Sequence, residues 1–254
     1  MAPSQRRYAT LNDWCDTARL PPAVVHQICR RMPRPGRQYH GLEHLEDLWR
    51  LHRRFTRQRR LLVPSAQSLI ARAILFHNAV YDPARSDNEQ KSAALWRCAA
   101  RQARTPRGEI ARVAAAIAAT ADHASGAAKG IEDDGTMCWF LNLDHASIGA
   151  TPHRFHVNAA RLRAELRNLA VAEWEDRRLA FLHSLAMRRR IYRSRLLAAA
   201  LEASARGNIA RELCGTAASG DELAKHDTAQ SQRGGVTALH ERSKLDVRSP
   251  SLAA

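Results

Sequence analysis

Twelve histidines occur in a chain of 254 residues, and two of them, His40 and His44, are four residues apart. If one helix includes both, their imidazole rings lie on the same face, with Cβ atoms about 5–6 Å apart. Such a pair can share a metal ion, or one ring can bind the metal while the other transfers a proton. A surface pair with no chemical role has the same spacing, so the pattern alone leaves both interpretations open.

Two further polar side chains interrupt a strongly apolar stretch. His77 and Asn78 occur in LFHNAVYD, which the apolar pattern places in a central helix over residues 68–80, closed by Pro83. A single buried histidine is usually a core residue bonded to a backbone carbonyl. Two adjacent polar groups in a buried helix instead indicate a site.

Asp144 repeats this pattern, because its neighbours in FLNLDHASIG are mostly apolar. An unpaired carboxylate in such surroundings carries a large desolvation cost, so we expect it to have a partner. That partner could be an arginine or lysine, a metal ion or a protonated histidine. Composition alone does not choose between them.

The elements that must position these residues are helices. Apolar residues recur at three- and four-residue steps through residues 8–214, and period-two strand patterns are nearly absent. Thr105 is expected to cap, and Pro106 to begin, an Ala-rich helix that ends near residue 123, and residues 125–135 form a predicted loop. The other predicted helices are 41–57, 68–80, 89–103, 137–148, 152–173, 176–188 and 191–213. The predicted fold class is all-α.

The chain changes character at residue 215. Residues 215–254 contain no aromatic residue and no sustained apolar period, which predicts a disordered tail after a folded domain of residues 1–214. Basic and acidic residues balance in this tail, so the formal charge of +15 belongs to the predicted domain. The arginines are spread along it rather than clustered in the stripe of a dedicated nucleic-acid binder. We therefore expect a small phosphate-bearing partner rather than nucleic acid.

Other partners and compartments are constrained by simple features. The longest apolar run falls far short of the roughly 20 residues of a membrane-spanning helix, and no apolar stretch follows the N-terminal arginines as in a secretory signal. The five cysteines form no C-x-x-C pair, which disfavours a disulfide framework or a zinc ribbon. We expect a cytoplasmic protein without a membrane partner. The oligomeric state is not predicted.

Five segments, taken in order, carry a resemblance to a known family. They are RQYHGLEHL (37–45), ILFHNAVYDP (74–83), DNEQKSA (87–93), ATADH (119–123) and FLNLDHASIGA (140–150). This succession resembles the motifs of the HD superfamily of metal-dependent phosphohydrolases, and most closely a bacterial branch of predicted HD-domain hydrolases. The similarity extends from residue 8 to about residue 214 and implies a helical bundle of the HD-domain type.

The resemblance also implies a set of site residues. Members of this superfamily bind a divalent metal through a histidine, an adjacent His-Asp pair and a distant aspartate. Carried over by position, the metal ligands are His44, His77, Asn78 and Asp144, and the metal is Mn, Fe, Mg, Co or Zn. The histidine four residues before the first ligand, His40, corresponds to the proton donor of related cyclic-nucleotide phosphodiesterases.

Three more residues are expected near this site. The resemblance implies that His123 lies at the substrate or at an outer metal position, and that Glu89 contacts a ligand histidine. Arg37, three residues before His40, could neutralise a phosphate oxygen. A solvated surface arginine is the alternative for Arg37.

The chain departs from the family pattern at the motif that names it, since Asn78 replaces the aspartate of HD. An amide offers one neutral oxygen, so hard cations should bind less well and a bridged two-metal centre is not expected. Gly41 and Asn142 are further departures. Two functions stay open: a phosphohydrolase acting on a nucleotide or other small phosphate ester through a metal-activated water, and a catalytically impaired module that binds a nucleotide or a partner.

Overall fold

The computed structural model describes residues 12–59, 63–122 and 134–215. The chain divides into two compact units, residues 1–209 and 210–254. Of the second unit, residues 210–215 are described, and they are helical. The tail predicted for residues 215–254 therefore lies, apart from its first residue, outside the described residues.

The first unit is built from helices, and no described residue belongs to a β-strand, which confirms the predicted all-α class. The helices are α1 (Pro22–Arg31), α2 (Leu42–Arg59), α3 (Pro64–Phe76), α4 (Asn88–Gln102), α5 (Arg107–Ala119), α6 (Gly135–Asp144), α7 (Pro152–Glu165) and α8 (Val171–Ala186). Short 3₁₀ helices cover Thr120–Asp122 and His145–Gly149. Residues 12–18 and 195–209 are also helical. Within the described ranges, no helix is long and apolar enough to cross a membrane.

The centre of this unit is α3, which packs against α1, α2, α4, α5 and α6. Every residue from Ser68 to Phe76 is buried, as expected for a helix that is apolar on all sides. Its polar members have partners: Ser68 Oγ and Arg72 Nε both donate to the Ala18 carbonyl, and Arg72 Nη1 pairs with Glu109. The central position predicted from the sequence is confirmed.

The end of α3 differs from the prediction of a helix to residue 80. The helix ends at Phe76, and His77 is its C-cap residue. Beyond it, Ser92 of α4 binds both backbone groups of Val80: its hydroxyl accepts from the amide at 3.0 Å and donates to the carbonyl at 3.1 Å. Because this side chain replaces helical hydrogen bonds, the chain can leave the helix well before Pro83.

Other predicted boundaries also need correction. Thr105 does not cap α5: Pro106 occupies the N-cap position, and no side-chain capping bond is formed. The predicted helix 152–173 is two helices, separated by residues 166–170. Arg163 explains the break, since its guanidinium donates to the carbonyls of Leu166 and Leu169 and stabilises a turn there.

The loop predicted for residues 125–135 lies largely outside the described residues. Its last residue, Gly135, begins α6, and the carboxylate of Asp134 caps that helix by accepting from the amides of Thr136 and Met137. The loop therefore ends earlier than predicted, because Asp134 supplies the cap that starts the helix.

Gly149 is where two parts of the first unit approach most closely. A Cβ atom at this position would lie 2.7 Å from Leu201 Cβ, 2.8 Å from the Leu201 carbonyl oxygen and 2.9 Å from Tyr192 Oη. The adjoining carbonyls of Ile148 and Ala150 each accept a hydrogen bond from Asn208 Nδ2 at 2.8 Å. The backbone after α6 is thus held tightly against the helix of residues 195–209.

We predict that Gly149→Ala lowers the free energy of unfolding by about 1–3 kcal/mol, because a backbone carbonyl must move to admit the methyl group. Urea unfolding followed by circular dichroism measures this. Gly108→Ala is the matched control, since a Cβ there meets nothing within 4 Å and alanine favours a helix. Equal stability of Gly149→Ala and wild type would show that this contact is not tight.

Candidate metal centre

Three helix ends bring together the side chains of His44, His77 and Asp144. His44 is in the first turn of α2, His77 directly follows α3, and Asp144 is the last residue of α6. The two histidines are 8% and 2% exposed, and the Asp144 side chain is 7% exposed. These three predicted ligands, distant in sequence, therefore form one buried cluster that could hold a metal ion.

The spacing of the three ligand atoms is nearly equal. His44 Nε2 lies 3.3 Å from His77 Nε2, and each nitrogen lies 3.4 Å from Asp144 Oδ1. A tetrahedral site with metal–ligand distances of about 2.0–2.1 Å has edges of about 3.3–3.4 Å. The cluster therefore fits three corners of a tetrahedral divalent metal site, and no further histidine, cysteine or carboxylate of the described residues joins it.

The hydrogen bonds of His77 decide which ring nitrogen can bind a metal. Its Nδ1 lies 2.9 Å from the carbonyl oxygen of Ile74, which can only accept, so Nδ1 carries the proton. Nε2 then presents a lone pair toward His44 and Asp144. Fixing the tautomer through a backbone carbonyl is how proteins commonly orient a ligating histidine.

Asn78 is predicted as a weak fourth ligand through its amide oxygen. It instead places its amide nitrogen against the lone pair of His77 Nε2. Its Nδ2 lies 2.7 Å from His77 Nε2 and donates a hydrogen bond to it. Rotating the amide would place Oδ1 against the lone pair, which is repulsive unless a cation lies between them. In the described arrangement Asn78 therefore stabilises His77 without a metal.

His44 is held in the form that a metal requires. Burial lowers the pKa of His44, and the hydrogen bond and charge of Asp144 oppose this effect. A neutral imidazole is the ligating species, because the lone pair of Nε2 must be free of its proton. Desolvation thus favours metal binding at this residue.

His40 is not on the helix that carries His44, so the two rings do not share a helical face. Helix α2 begins at Leu42, and His40 lies in the preceding bend. The rings nevertheless approach, with centroids 6.1 Å apart and nearly perpendicular planes. A bend in the chain, rather than helical periodicity, therefore places His40 beside the cluster.

The partner of His40 is Glu165, the last residue of α7. Glu165 Oε1 accepts from the backbone amides of Tyr39 at 2.7 Å and His40 at 2.8 Å. Its Oε2 lies 2.6 Å from His40 Nδ1 and accepts from Tyr81 Oη at 2.7 Å. Because the carboxylate faces Nδ1, that nitrogen donates and Nε2 of His40 is left available.

These contacts keep Glu165 ionised although its side chain is fully buried. Burial raises its pKa, but the hydrogen bonds and charge of His40, together with the hydroxyl of Tyr81, lower it overall to about 2. Burial raises the pKa of Tyr81, and the charge of the Glu165 carboxylate raises it further. Tyr81 therefore stays protonated and donates to the ionised carboxylate of Glu165.

A cavity of about 340 Å³ opens onto this site, a volume within the range of about 300–1,000 Å³ usual for small-molecule sites. Its lining includes four polar residues of the candidate site, His40, His77, Asn78 and Asp144. It also includes six apolar or aromatic residues, Ile148, Phe155, Leu162, Leu166, Trp174 and Phe181. The cavity thus suits a ligand that has both a charged group and an apolar or aromatic group.

The remaining predicted site residues have different placements. Glu89 lines the cavity but forms no hydrogen bond with any described histidine. Arg37 does not line it: Arg37 Nη1 donates to the carbonyls of Asn78 at 2.7 Å and His40 at 3.1 Å. It ties the bend before α2 to the chain after α3, so it is not simply a solvated surface arginine, and its contact with a phosphate oxygen stays a prediction. His123 lies outside the described residues.

Sequence reasoning missed Glu165, Tyr81 and Tyr39. Tyr39 donates from its hydroxyl to Ser147 Oγ at 2.9 Å and so connects the bend to the 3₁₀ helix after α6. Tyr39 and Tyr81 belong to the quoted motifs, and that was the available signal for them. Glu165 had none, because it lies in a charged stretch, AARLRAELRNL, that looks like a solvated helix face.

Searches against protein-family models, curated proteins and solved structures find no match to this chain. Membership of the HD superfamily accordingly stays a hypothesis that rests on the five motifs.

We predict that Glu165→Ala destabilises the protein by about 3 kcal/mol or more, because four hydrogen bonds lose a buried acceptor. Glu165→Gln should cost less, since it keeps an acceptor at one position. Urea unfolding at neutral pH measures both. Glu173→Gln is the control: its ion pair with Arg177 is exposed, and exposed pairs contribute about 0–1 kcal/mol.

The lowered pKa of Glu165 adds a test with a defined sign. Its stabilising effect is complete above about pH 4.5 and is lost as the pH falls toward about 2. Wild type should therefore lose more stability over this interval than Glu165→Gln. Parallel losses in the two proteins would show that the carboxylate is not held ionised by its neighbours.

For the metal cluster, we predict that Asn78→Asp tightens divalent metal binding by at least about tenfold, because a carboxylate replaces a competing hydrogen-bond donor. Titration with Mn²⁺ or Zn²⁺ against a chelating dye measures the affinity. Asn158→Asp is the matched control, since it adds the same charge to the same cavity. Equal tightening in both variants would mean that only cavity charge matters and that the amide of Asn78 does not compete with the metal.

Proposed function

We propose that this protein is a metal-dependent phosphohydrolase of the HD superfamily, acting on a nucleotide or another small phosphate ester. The observation that carries the proposal is the convergence of His44, His77 and Asp144, with mutual distances of 3.3–3.4 Å, beside a separately oriented His40. The order of the five motifs supports the superfamily, and the formal charge of +15 suits an anionic substrate.

The three ligands would hold one divalent ion, which when bound activates water and polarises a phosphoryl oxygen. His40 supplies what the ligands do not, a proton-transferring group at the edge of the cluster. Its Nδ1 is held by Glu165 at 2.6 Å, so Nε2 is the atom that can carry a proton to a leaving oxygen.

The lining of the cavity supports a substrate with an aromatic or apolar group besides its phosphate. Trp174, Phe181 and Phe155 belong to this lining, and a nucleobase or an apolar alcohol would bury against them. The guanidinium of Arg178 lies over the rings of Phe155 and Trp174, at 5.2 and 5.9 Å from their centroids. The lining therefore combines aromatic surface with a positive charge.

A specific observation favours the second function, a catalytically impaired module that binds a nucleotide or partner. The amide of Asn78 satisfies the His77 lone pair at 2.7 Å without any metal. A site with this bond in place could bind the phosphate ester in the same cavity and leave it intact. In the phosphohydrolase, a metal ion would displace the Asn78 amide from His77 Nε2. In the binding module, this hydrogen bond would stay in place.

The test is hydrolysis by the purified protein in the presence of Mn²⁺, Co²⁺, Mg²⁺ or Zn²⁺, with a panel of nucleoside monophosphates, cyclic nucleotides and p-nitrophenyl phosphate. We expect wild type to bind about one metal ion per chain and to hydrolyse at least one compound. His44→Ala should lose both metal and activity, since it removes one of three ligands. His40→Ala should keep the metal and lose most activity.

His156→Ala serves as control, because this histidine is exposed and does not line the cavity. A wild type that binds no metal and hydrolyses nothing, but gains both properties with Asn78→Asp, would replace the enzyme by the binding module. Activity that persists unchanged in His44→Ala would contradict the proposed site altogether.

A further inference from the structure

A second cavity, of about 430 Å³, lies beside the candidate metal centre and has a different character. It is formed by the end of α1, residues 34–37 and residues 79–85, and Tyr81 lines both cavities. Its charged lining residues are Arg31, Arg34, Arg37, Arg85, Lys91 and Asp82. We call it the basic cavity, since its lining contains five cationic side chains and one carboxylate.

The described residues neutralise only part of this positive charge. Arg85 forms a bidentate pair with Asp87, with both distances 2.7 Å, and Lys91 lies 3.5 Å from the same carboxylate. By contrast, the side chains of Arg31 and Arg34 form no hydrogen bond or ion pair with any residue in the described ranges. Within those ranges, two arginines thus line a concave surface without a partner.

Arg37 adds an unused edge of its guanidinium. Its three recorded hydrogen bonds all come from Nη1, and the buried Nε has no partner in the described structure. Arg85 binds Asp87 through the edge formed by its Nε and Nη2. The corresponding edge of Arg37 has the geometry that binds an oxyanion. Burial, followed by the charge of Arg34, lowers the pKa of Arg37, and the charge of Glu165 opposes this effect.

We propose that the basic cavity is a binding site for a condensed phosphate, either a free pyrophosphate or triphosphate or the phosphate chain of a nucleotide. Cations from three parts of the chain surround it, which suits an anion with several charged groups. No histidine of the described residues lines it, and the cluster of His44, His77 and Asp144 belongs to the neighbouring site. The role proposed for the basic cavity is binding of the condensed phosphate.

A small anion fits this cavity better than a nucleic acid does. Binding of single-stranded nucleic acid generally needs aromatic side chains on which successive bases stack. Tyr81 is the one described aromatic residue in the lining, and its ring already contacts two side chains: the Arg37 guanidinium lies 5.4 Å from its ring centroid and the His40 ring 4.5 Å. A single aromatic ring with these contacts is not a platform for successive bases.

The test is isothermal titration of the full chain with inorganic phosphate, pyrophosphate, triphosphate, ATP and AMP, at fixed ionic strength with EDTA present. EDTA removes divalent metal, so the result does not depend on hydrolysis or on the proposed function. We expect triphosphate and pyrophosphate to bind more tightly than inorganic phosphate. If ATP binds with the same affinity as triphosphate, the phosphate chain alone is the ligand. If ATP binds with higher affinity, the nucleoside also contacts the protein.

The double variant Arg31→Gln with Arg34→Gln should weaken triphosphate binding by at least about tenfold, because two charge-assisted contacts are lost. The matched control is Arg30→Gln with Arg167→Gln. Both control arginines are exposed and do not line the cavity, and the loss of charge is the same. We expect this control to weaken binding by less than about twofold, as for distant, screened charges.

Three results would overturn the proposal. Triphosphate that does not bind below about 1 mM would remove the site. Equal weakening in the two double variants would assign binding to the diffuse charge of the protein. Tight binding of mixed-sequence RNA that requires Arg31 and Arg34, without binding of triphosphate, would make this surface a nucleic-acid site instead.

Discussion

The arrangement of the candidate site depends on one buried carboxylate. Glu165 has no exposed side-chain surface and accepts four hydrogen bonds, from Tyr39, His40 and Tyr81. A charge in such a place is tolerated only when it is fully paired, because its desolvation is otherwise too costly. The carboxylate and its donors stabilise one another, so the end of α7, the bend before α2 and Tyr81 hold each other in position. His40 is oriented as a consequence.

The ligands themselves come from helix ends, and the packing of α3 explains why. This helix is buried on all sides, so a polar ligand inside it would have to be satisfied within the core. At its C-terminal end the backbone offers free carbonyls, and the Ile74 carbonyl fixes the tautomer of His77. Because α2 and α6 both pack against α3, His44 and Asp144 meet His77 there. The site is thus a product of how the three helices meet.

Sequence reasoning identified these ligands but could not supply their surroundings. His44, His77 and Asp144 stand out as polar residues within ordered motifs, and helical periodicity predicts most elements of the fold. His52 shows the limit of that reasoning: it is a completely buried histidine on the same helix as His44, yet its recorded partner is the indole of Trp139. Composition and spacing do not separate such a core histidine from a ligand.

The remaining errors concern side-chain contacts that helical periodicity does not describe. Glu165 is 125 positions from His40, and nothing local marks it as buried. The end of α3 depends on Ser92 of another helix, and the break after α7 on the side chain of Arg163. Periodicity describes which face of a helix is apolar. It does not contain the side-chain to backbone hydrogen bonds that end a helix.

Should the cluster of His44, His77 and Asp144 hold a metal ion, its donor types would decide which ion it prefers. The hydrogen bond from the Asn78 amide to His77 would have to be broken, at a cost of about 0.5–1.5 kcal/mol. Asp144 is the one carboxylate among the three clustered ligands. Mg²⁺ and Ca²⁺ depend on anionic oxygen, whereas zinc and other ions late in the first transition row bind neutral imidazole well. Two histidines and one aspartate at tetrahedral spacing would therefore favour these transition metals, and the neutral amide at position 78 adds no charge that would reverse this preference.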